Sequence, residues 1–447
     1  MTDMKIIKGF SNAKQVLSRE ITAEFAGSFM ETEEQAKDAG KSIEKTVETI
    51  IRDVRRNRDN ALLEYARSYD KAELDSLLVT DDEMNYAHKQ VDKELLLALE
   101  LAAKRITEFH INCKKNMETS FFNNGAGRNS RPLKKVGLYI PGGTAAYPST
   151  VLMSALPAKV AGVEQVIMVT PPRNDGSIPP STLVAAGLAK VDRIYKTGGA
   201  QAIAALAFGT ESIPKVDKIC GPGNIYVAKA KQLVYGVVDI DGIQGPSEVV
   251  VVADDSANAS FCAADLIAQS EHDTMASAIL ITTSERLAGE IPVEINAQLT
   301  KLERKTIAET ALNENGVIAI VETIDEAIEL VNCFAPEHIS LMIKDARSYI
   351  ERIDNAGCIL INSTSPVTIG DYIAGPSHVL PTGGTARFSS SLSVEDFYKF
   401  INVIDFSRKD LETLGPATIT MAESEGLTGH AFAVKIRLES GKKENGQ

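Results

Sequence analysis

The sequence predicts an α/β protein with two mostly parallel sheets, a helical N-terminal part and a short tail. Three observations carry that prediction. Apolar runs of strand length, such as VEQVIMVT (163–170) and EVVVVAD (248–254), show no polar alternation, the mark of strands buried on both faces. From residue 134 these runs alternate with helix-length segments, the grammar of repeated βαβ units. Glycine turns stand where strands give way to helices: PGG at 141–143, TGG at 197–199 and CGPG at 220–223.

Residues 31–120 read as helical. The run SIEKTVETIIRDVRRNRDNALLEYARSYD keeps Ile43, Val47, Ile50, Ile51, Val54 and Leu62 near helical spacing, and 83–117 hold few breakers. FNNGAGRNSRP (122–132) reads as a loop. The first α/β series follows: strand 136–140, helix 148–162 with Pro148 in its first turn, strand 163–170 and helix 181–191. It continues with a strand and turn at 193–199, helix 201–209, a strand and turn at 215–223, and helix 224–236. The second series opens with strand 248–254 and helix 256–272, for which Asp255 or Ser256 is the expected N-cap. Strand 277–283, helical residues 285–313 and strands 316–321, 339–343 and 358–362 complete it. Two α/β units, 136–246 and 247–365, result. The tail from 388 has weak strand character, and 439–447 is polar and frayed.

At 447 residues, more than one domain is expected. An apolar fraction of 44% and a charged fraction of 24% are those of an ordinary globular chain. A net charge of −13 would be repelled by nucleic acid and by an anionic membrane, so neither is an expected partner. No run has the apolar length to span a bilayer, and MTDMKIIKGF has no apolar signal core; a cytoplasmic protein is the expectation. The five cysteines are widely spaced, odd in number and free of CxxC pairs, which argues for reduced thiols. Cys220, in KICGPGN at a strand end, is the best placed of them for a catalytic thiol.

His88 and His110 lie among Lys and Glu and read as solvated surface. The other four histidines sit in polar neighbourhoods: QSEHD (269–273), APEHIS (335–340), GDYIAGPSHVLPTGG (370–384) and SEGLTGHAF (424–432). Gln269 and His272, three apart on one helical face, could ligate one cation. Asp371 and His430 each follow a glycine, as polar residues presented on loops do. The same spacing suits an ordinary helix end, where the dipole favours His272. Glu337 and His338 pair an acid with a base whose ordinary pKa is near 6.5. They enter a strand, whereas function in parallel sheets gathers where strands end. The glycine turns present helix N-termini suited to phosphate, although no GxGxxG is present.

Taken together, the runs VGLYIPGGTAAYPSTVLM, GGAQAIAALAFGTESIPKVDKICGPGN, GPSEVVVVAD, DLIAQSEHD, APEHISL, GDYIAGPSHVLPTGGTARFSSSLSVEDF and EGLTGHAFAVKIR resemble the histidinol dehydrogenase family over essentially the whole chain. The resemblance implies two incomplete Rossmann-like units and a zinc-dependent homodimer with shared active sites. The implied reaction takes L-histidinol through the aldehyde to L-histidine, reducing two NAD+ and consuming one water. Implied zinc ligands are Gln269, His272, Asp371 and His430, the last from the partner's tail. Implied acid–base residues are Glu337 and His338. Substrate contacts would be Ser247, Glu425, His338 and the metal ligands; NAD contacts would be Tyr139, Gln201 and Asn224. The implied division is an arm at 1–27, a first unit at 28–135 with 247–387, an NAD-binding unit at 136–246, and a dimer-exchanging tail domain at 388–447. Ser377 stands where the family often has Asn, which bears on His378. Two other readings share these residues: an NAD-dependent dehydrogenase of another polar alcohol, and a zinc hydrolase without nucleotide. A thiohemiacetal on Cys220 is the rival chemistry.

Overall fold

The computed structural model describes residues 4–19, 33–117, 120–142 and 146–444. In chain order its strands begin with β1 (Lys5–Lys8), β2 (Phe121–Asn123), β3 (Ala126–Pro132), β4 (Lys135–Tyr139) and β5 (Gln165–Thr170). β6 (Arg193–Lys196), β7 (Lys218–Cys220), β8 (Asp239–Ile240), β9 (Glu248–Ala253) and β10 (Ser277–Thr282) follow. The last are β11 (Val317–Ile320), β12 (His338–Met342), β13 (Cys358–Ile361) and β14 (Tyr398–Ile404). The chain forms two compact units, Met1–Lys115 with Leu133–Phe397, and Asn116–Pro132 with Tyr398–Gln447.

The larger unit holds two wholly parallel sheets, of order β6-β5-β4-β7-β8 and β1-β11-β10-β9-β12-β13. The unbroken apolar run of β9 explains itself there. Val249 and Val251 face one core with Leu266, Leu280 and Ile291, while Val250 and Val252 face another with Ile279, Val331 and Ile339. The N-terminal strand β1 adds an edge by pairing with β11; residues 20–27 of the arm lie outside the described residues.

Several sequence expectations change. The helix Glu33–Tyr65 packs on Gly199–Phe208 and Ile225–Val234, and Asp81–Gln90 packs on Pro180–Leu188. Val47, Ile50, Val54 and Leu62 therefore share a core with Ile203, Leu206 and Val227 of the five-stranded sheet's layer, not with the 247–387 segment. The helix expected at 256–272 runs Ala259–Ser270. Its N-cap is Asn258, whose Oδ1 accepts the Ser260 N–H at 2.9 Å; Asp255 binds the Ser284 hydroxyl instead. Residues 285–313 form two helices, Glu285–Leu299 and Lys305–Asn315.

In the smaller unit, the loop expected at 122–132 is a hairpin, with β3 antiparallel to both β2 and β14. Asn124 (φ 49) and Gly125 (φ 74) form its turn, the positive-φ pair that Asn-Gly supplies most readily. The strand character expected from 388 is met by β14, but from Arg408 the tail is helical, Arg408–Ser424 and Thr428–Glu444. A capping box at Ser407 and Asp410 starts the first of these helices.

His110 is buried, not solvated. It completes a stripe of Leu99, Ala102 and Ile106 on the helix Lys93–Asn116, and neither ring nitrogen has a hydrogen-bond partner. Burial pulls its pKa down to about 4, against a weaker opposing pull from Glu395. The unfolded chain takes up this proton near pH 6.5 and the folded chain only near 4. Stability is therefore lost as pH falls through that window, by an amount on the order of 3 kcal/mol. His110→Leu should flatten the fall of Tm between pH 6.5 and 4; an unchanged slope in a scanning calorimeter would refute the assignment.

Candidate active site

The helix Ile324–Phe334 stops at Ala335, in the left-handed region, and Pro336, with no N–H to donate, cannot continue it. Glu337 and His338 follow, both buried, with His338 opening β12 between β9 and β13. The site therefore lies at the amino edge of the six-stranded sheet. A crossover helix runs back against its strand, so the helix Ala259–Ser270 delivers its C-terminal Gln269 to that same edge. Gln269 Nε2 is 2.7 Å from His338 Nδ1, and His338 Nε2 is 3.2 Å from Asp371 Oδ1. In the neutral ring, the N–H at Nε2 donates to Asp371 and Nδ1 accepts from the amide.

Glu337 Oε2 stands 3.8 Å from His338 Nδ1. Burial opposes a charge on His338, but Glu337 and the Asp371 hydrogen bond outweigh it and lift the pKa to about 8. Burial raises Glu337 to about 7, against the pull of His338. Burial also works against ionisation of Asp371, yet the His338 bond and charge hold its pKa below the usual value. An acid and a base both poised near neutrality, side by side and shielded from water, suit proton transfer.

Two residues that sequence reasoning did not single out hold this pair. Glu248 opens β9 beside β12. Its N–H donates to Glu337 Oε2 at 2.8 Å, and its Oε2 accepts the Glu337 N–H at 3.3 Å. Glu248 Oε1 accepts the Gly383 N–H at 3.0 Å and pairs with Arg19 Nη2 at 2.6 Å. Arg19 also lies over the Phe334 ring, 3.7 Å from its centroid. Glu248→Ala would strand a largely buried guanidinium, a loss of about 3–5 kcal/mol. The only sequence signal was a glutamate leading an otherwise apolar strand.

His378 braces Asp371 from the other side. Its Nδ1–H donates to the Asp371 carbonyl at 2.6 Å, which leaves Nε2 to accept the Thr150 hydroxyl at 3.1 Å. Ser377 keeps to its own turn, its Oγ accepting the Val379 N–H at 3.1 Å. Cys220 does not fit a nucleophile's place: it is fully buried in β7, and burial pushes its thiol pKa well up. The cysteine in register with His338 is Cys358 on β13, and burial keeps that thiol protonated too, up to about 11.

Ser247 is half-buried just before β9. His272 lies beyond the helix end, with its N–H on the Gln269 carbonyl at 3.2 Å, and is exposed. Although solvent reaches this residue, partial desolvation of its ring is the largest influence on its pKa, which falls, and the Asp371 charge opposes that fall. His430 on Thr428–Glu444 and Glu425, just past Arg408–Ser424, belong to the smaller unit, and both are exposed. Among the described residues, no group of three His, Cys, Asp or Glu side chains is assembled to hold a metal. Gln269, His272 and Asp371 carry one amide, one imidazole and one carboxylate, donor types that suit zinc and number one short of the usual four.

A cleft of about 1040 Å³ opens at the five-stranded sheet and brings Tyr139, Gln201 and Asn224 together. Two glycine turns edge it, but their amides are not bare. The Gly199 N–H donates to the Tyr139 hydroxyl at 3.2 Å, and Asn224 Oδ1 accepts from Tyr226 and Val227 at 3.1 and 3.2 Å. In the turn at 140–149, residues 143–145 lie outside the described residues. Gly221 (φ 116) passes so close to β4 that a Cβ would fall 2.0 Å from the Tyr139 carbonyl oxygen. Lys231, fully buried, locks this turn through the Gly221 carbonyl at 3.0 Å and Asp241 Oδ1 at 2.5 Å.

A family model described as histidinol dehydrogenase matches residues 33–438. The chain is 51% identical over 437 residues to a histidinol dehydrogenase of Dehalococcoides mccartyi (strain CBDB1), covering 98% of this chain and 100% of the relative. It is 52% identical over 409 residues to one from Clostridium acetobutylicum, covering 91% and 95%. The crystal structure of histidinol dehydrogenase from Elizabethkingia anophelis superposes with a TM-score of 0.89 at 37% identity, covering 99% of each chain.

Proposed function

This chain belongs to the histidinol dehydrogenase family, and from that membership we propose that it oxidises L-histidinol through the aldehyde to L-histidine with two NAD+. The observation that carries the reading is the buried His338, set between Gln269 and Asp371 with Glu337 at its side. His338 takes the hydroxyl proton at Nδ1, its unprotonated ring nitrogen, as the substrate hydroxyl displaces the Gln269 amide and the first hydride leaves for the nicotinamide. Glu337 then removes a proton from the water that hydrates the aldehyde, and His338 accepts again in the second oxidation. Holding the aldehyde at the site between the two steps would prevent its loss to solvent.

Gln269, His272 and Asp371 of one chain, with His430 of a second, would hold a zinc ion. When bound, it supplies a fixed electrophilic anchor for the imidazole and amine of the substrate. Ser247 and Glu425 would complete the substrate contacts, and Tyr139, Gln201 and Asn224 would contact NAD. The exposed apolar residues of the smaller unit, among them Ile404, Met421 and Phe432, support a homodimer in which the tail is shared.

The test is NADH release with histidinol against a panel of other polar alcohols, before and after chelation. Activity should favour histidinol, vanish on metal removal and return with zinc. Full activity in a verified metal-free protein would remove the metal from this account.

A further inference from the structure

We propose that Asp70 accepts a hydrogen bond from the adenosine ribose of the bound dinucleotide and so selects NAD over NADP; this rests on the NAD reading of the cleft. Asp70 closes the π-helical turn Ala66–Asp70 and lines the cleft with Tyr139, Gln201 and Asn224. Its Oδ2 is buried and has no hydrogen-bond partner. The cations nearest in sequence are committed elsewhere: Lys71 donates to the Ser68 carbonyl at 2.7 Å, and Arg67 pairs with Glu64 and Glu73. An unpaired buried carboxylate oxygen is costly, and a donor arriving with a ligand relieves that cost. The vicinal hydroxyls of a ribose are such donors.

In ordinary dinucleotide folds the ribose is read by an acid near the end of the second strand of the unit. Here that strand is β5, and the acid beyond it is Asp175. Its Oδ1 is occupied by Ser177, from the N–H at 3.0 Å and the hydroxyl at 2.7 Å. Asp175 lines the cleft too, but it is exposed and one oxygen is taken by Ser177, so a ribose relieves no buried charge there; Asp70 enters the same cleft from the helical segment with its Oδ2 buried and unpartnered. The nicotinamide must leave the cleft to reach His338, whose residues do not line it. That leaves the adenosine end beside Asp70. A 2′-phosphate there would meet a carboxylate and lose its donor hydroxyl. Arg173 lines the same cleft and is the group that would favour such a phosphate, so the two pull in opposite directions.

Calorimetric Kd values for NAD+ and NADP+, on the full chain and on Asp70→Ala and Asp70→Asn, decide the matter. Loss of a hydrogen bond to a charged group should weaken NAD+ by about tenfold or more in Asp70→Ala. The NAD/NADP preference should fall by a similar factor in both variants, with the KM for histidinol unmoved. An unchanged preference in folded variants overturns the proposal. Weaker NAD+ binding at constant preference overturns it too, since it would put Asp70 at the other ribose. Failure of the unmodified chain to bind either nucleotide would instead strike the NAD reading itself.

Discussion

His338→Asn should slow both half-reactions, each by about 10²–10⁴-fold, because one ring nitrogen serves as the base in each. Histidinol binding should change less than turnover, since the other substrate contacts remain. Glu337→Gln should behave differently. It preserves an oxygen to accept the Glu248 N–H, now at 2.8 Å, but it removes the base for water. Alcohol oxidation should survive better than aldehyde oxidation. Single-turnover measurements, with histidinol and with histidinal as starting substrates, separate the two. Equal losses from both substrates in Glu337→Gln would reject the division of labour. The backbone of Glu337 is held by Glu248 in either variant, so a folding defect is not the expected cause of either loss.

Mixing two inactive proteins should restore activity if the tail is shared. His338→Asn spoils the site of its own chain, and His430→Asn spoils the site its tail would complete. In a dimer with two-fold symmetry, a mixed pair contains one site with neither change. Random reassembly should then recover about a quarter of the unmodified activity. Each variant alone should stay inactive. No recovery after verified subunit exchange would place His430 in its own chain's site or in none. Gln269, His272 and Asp371 would supply only three of a zinc ion's usual four ligands, and His430 lies exposed in a separate compact unit.

Much of the fold was legible because its signals are local. Strand-length apolar runs, glycine turns and helical periodicity yielded the βαβ order of both sheets. Asn124-Gly125 is a strong hairpin signal that composition alone dissolved into a loop. His110 was judged by its charged sequence neighbours, although the stripe of Leu99, Ala102 and Ile106 pointed inward. The capping box at Ser407 and Asp410 is a local sign of a helix start in the tail. In the site, Gln269 with His272 and Glu337 with His338 stood out as polar clusters. Glu248 did not, since one acid at a strand end is commonplace, and its meaning lies in what it touches.

The class of fold, the buried strands, the family and the residues rich in chemistry can all be read from the order of the amino acids. Each of these is written within a few turns of chain or in the order of its runs. That Glu248, Gln269, Glu337, His338 and Asp371 share one sheet edge, and that Asp70 lines the cleft with Tyr139, is visible only in the folded chain. The reason is that parallel strands bring their amino ends side by side however long the crossover between them. Periodicity can orient a side chain about its own strand or helix, but strand order alone chooses its neighbours.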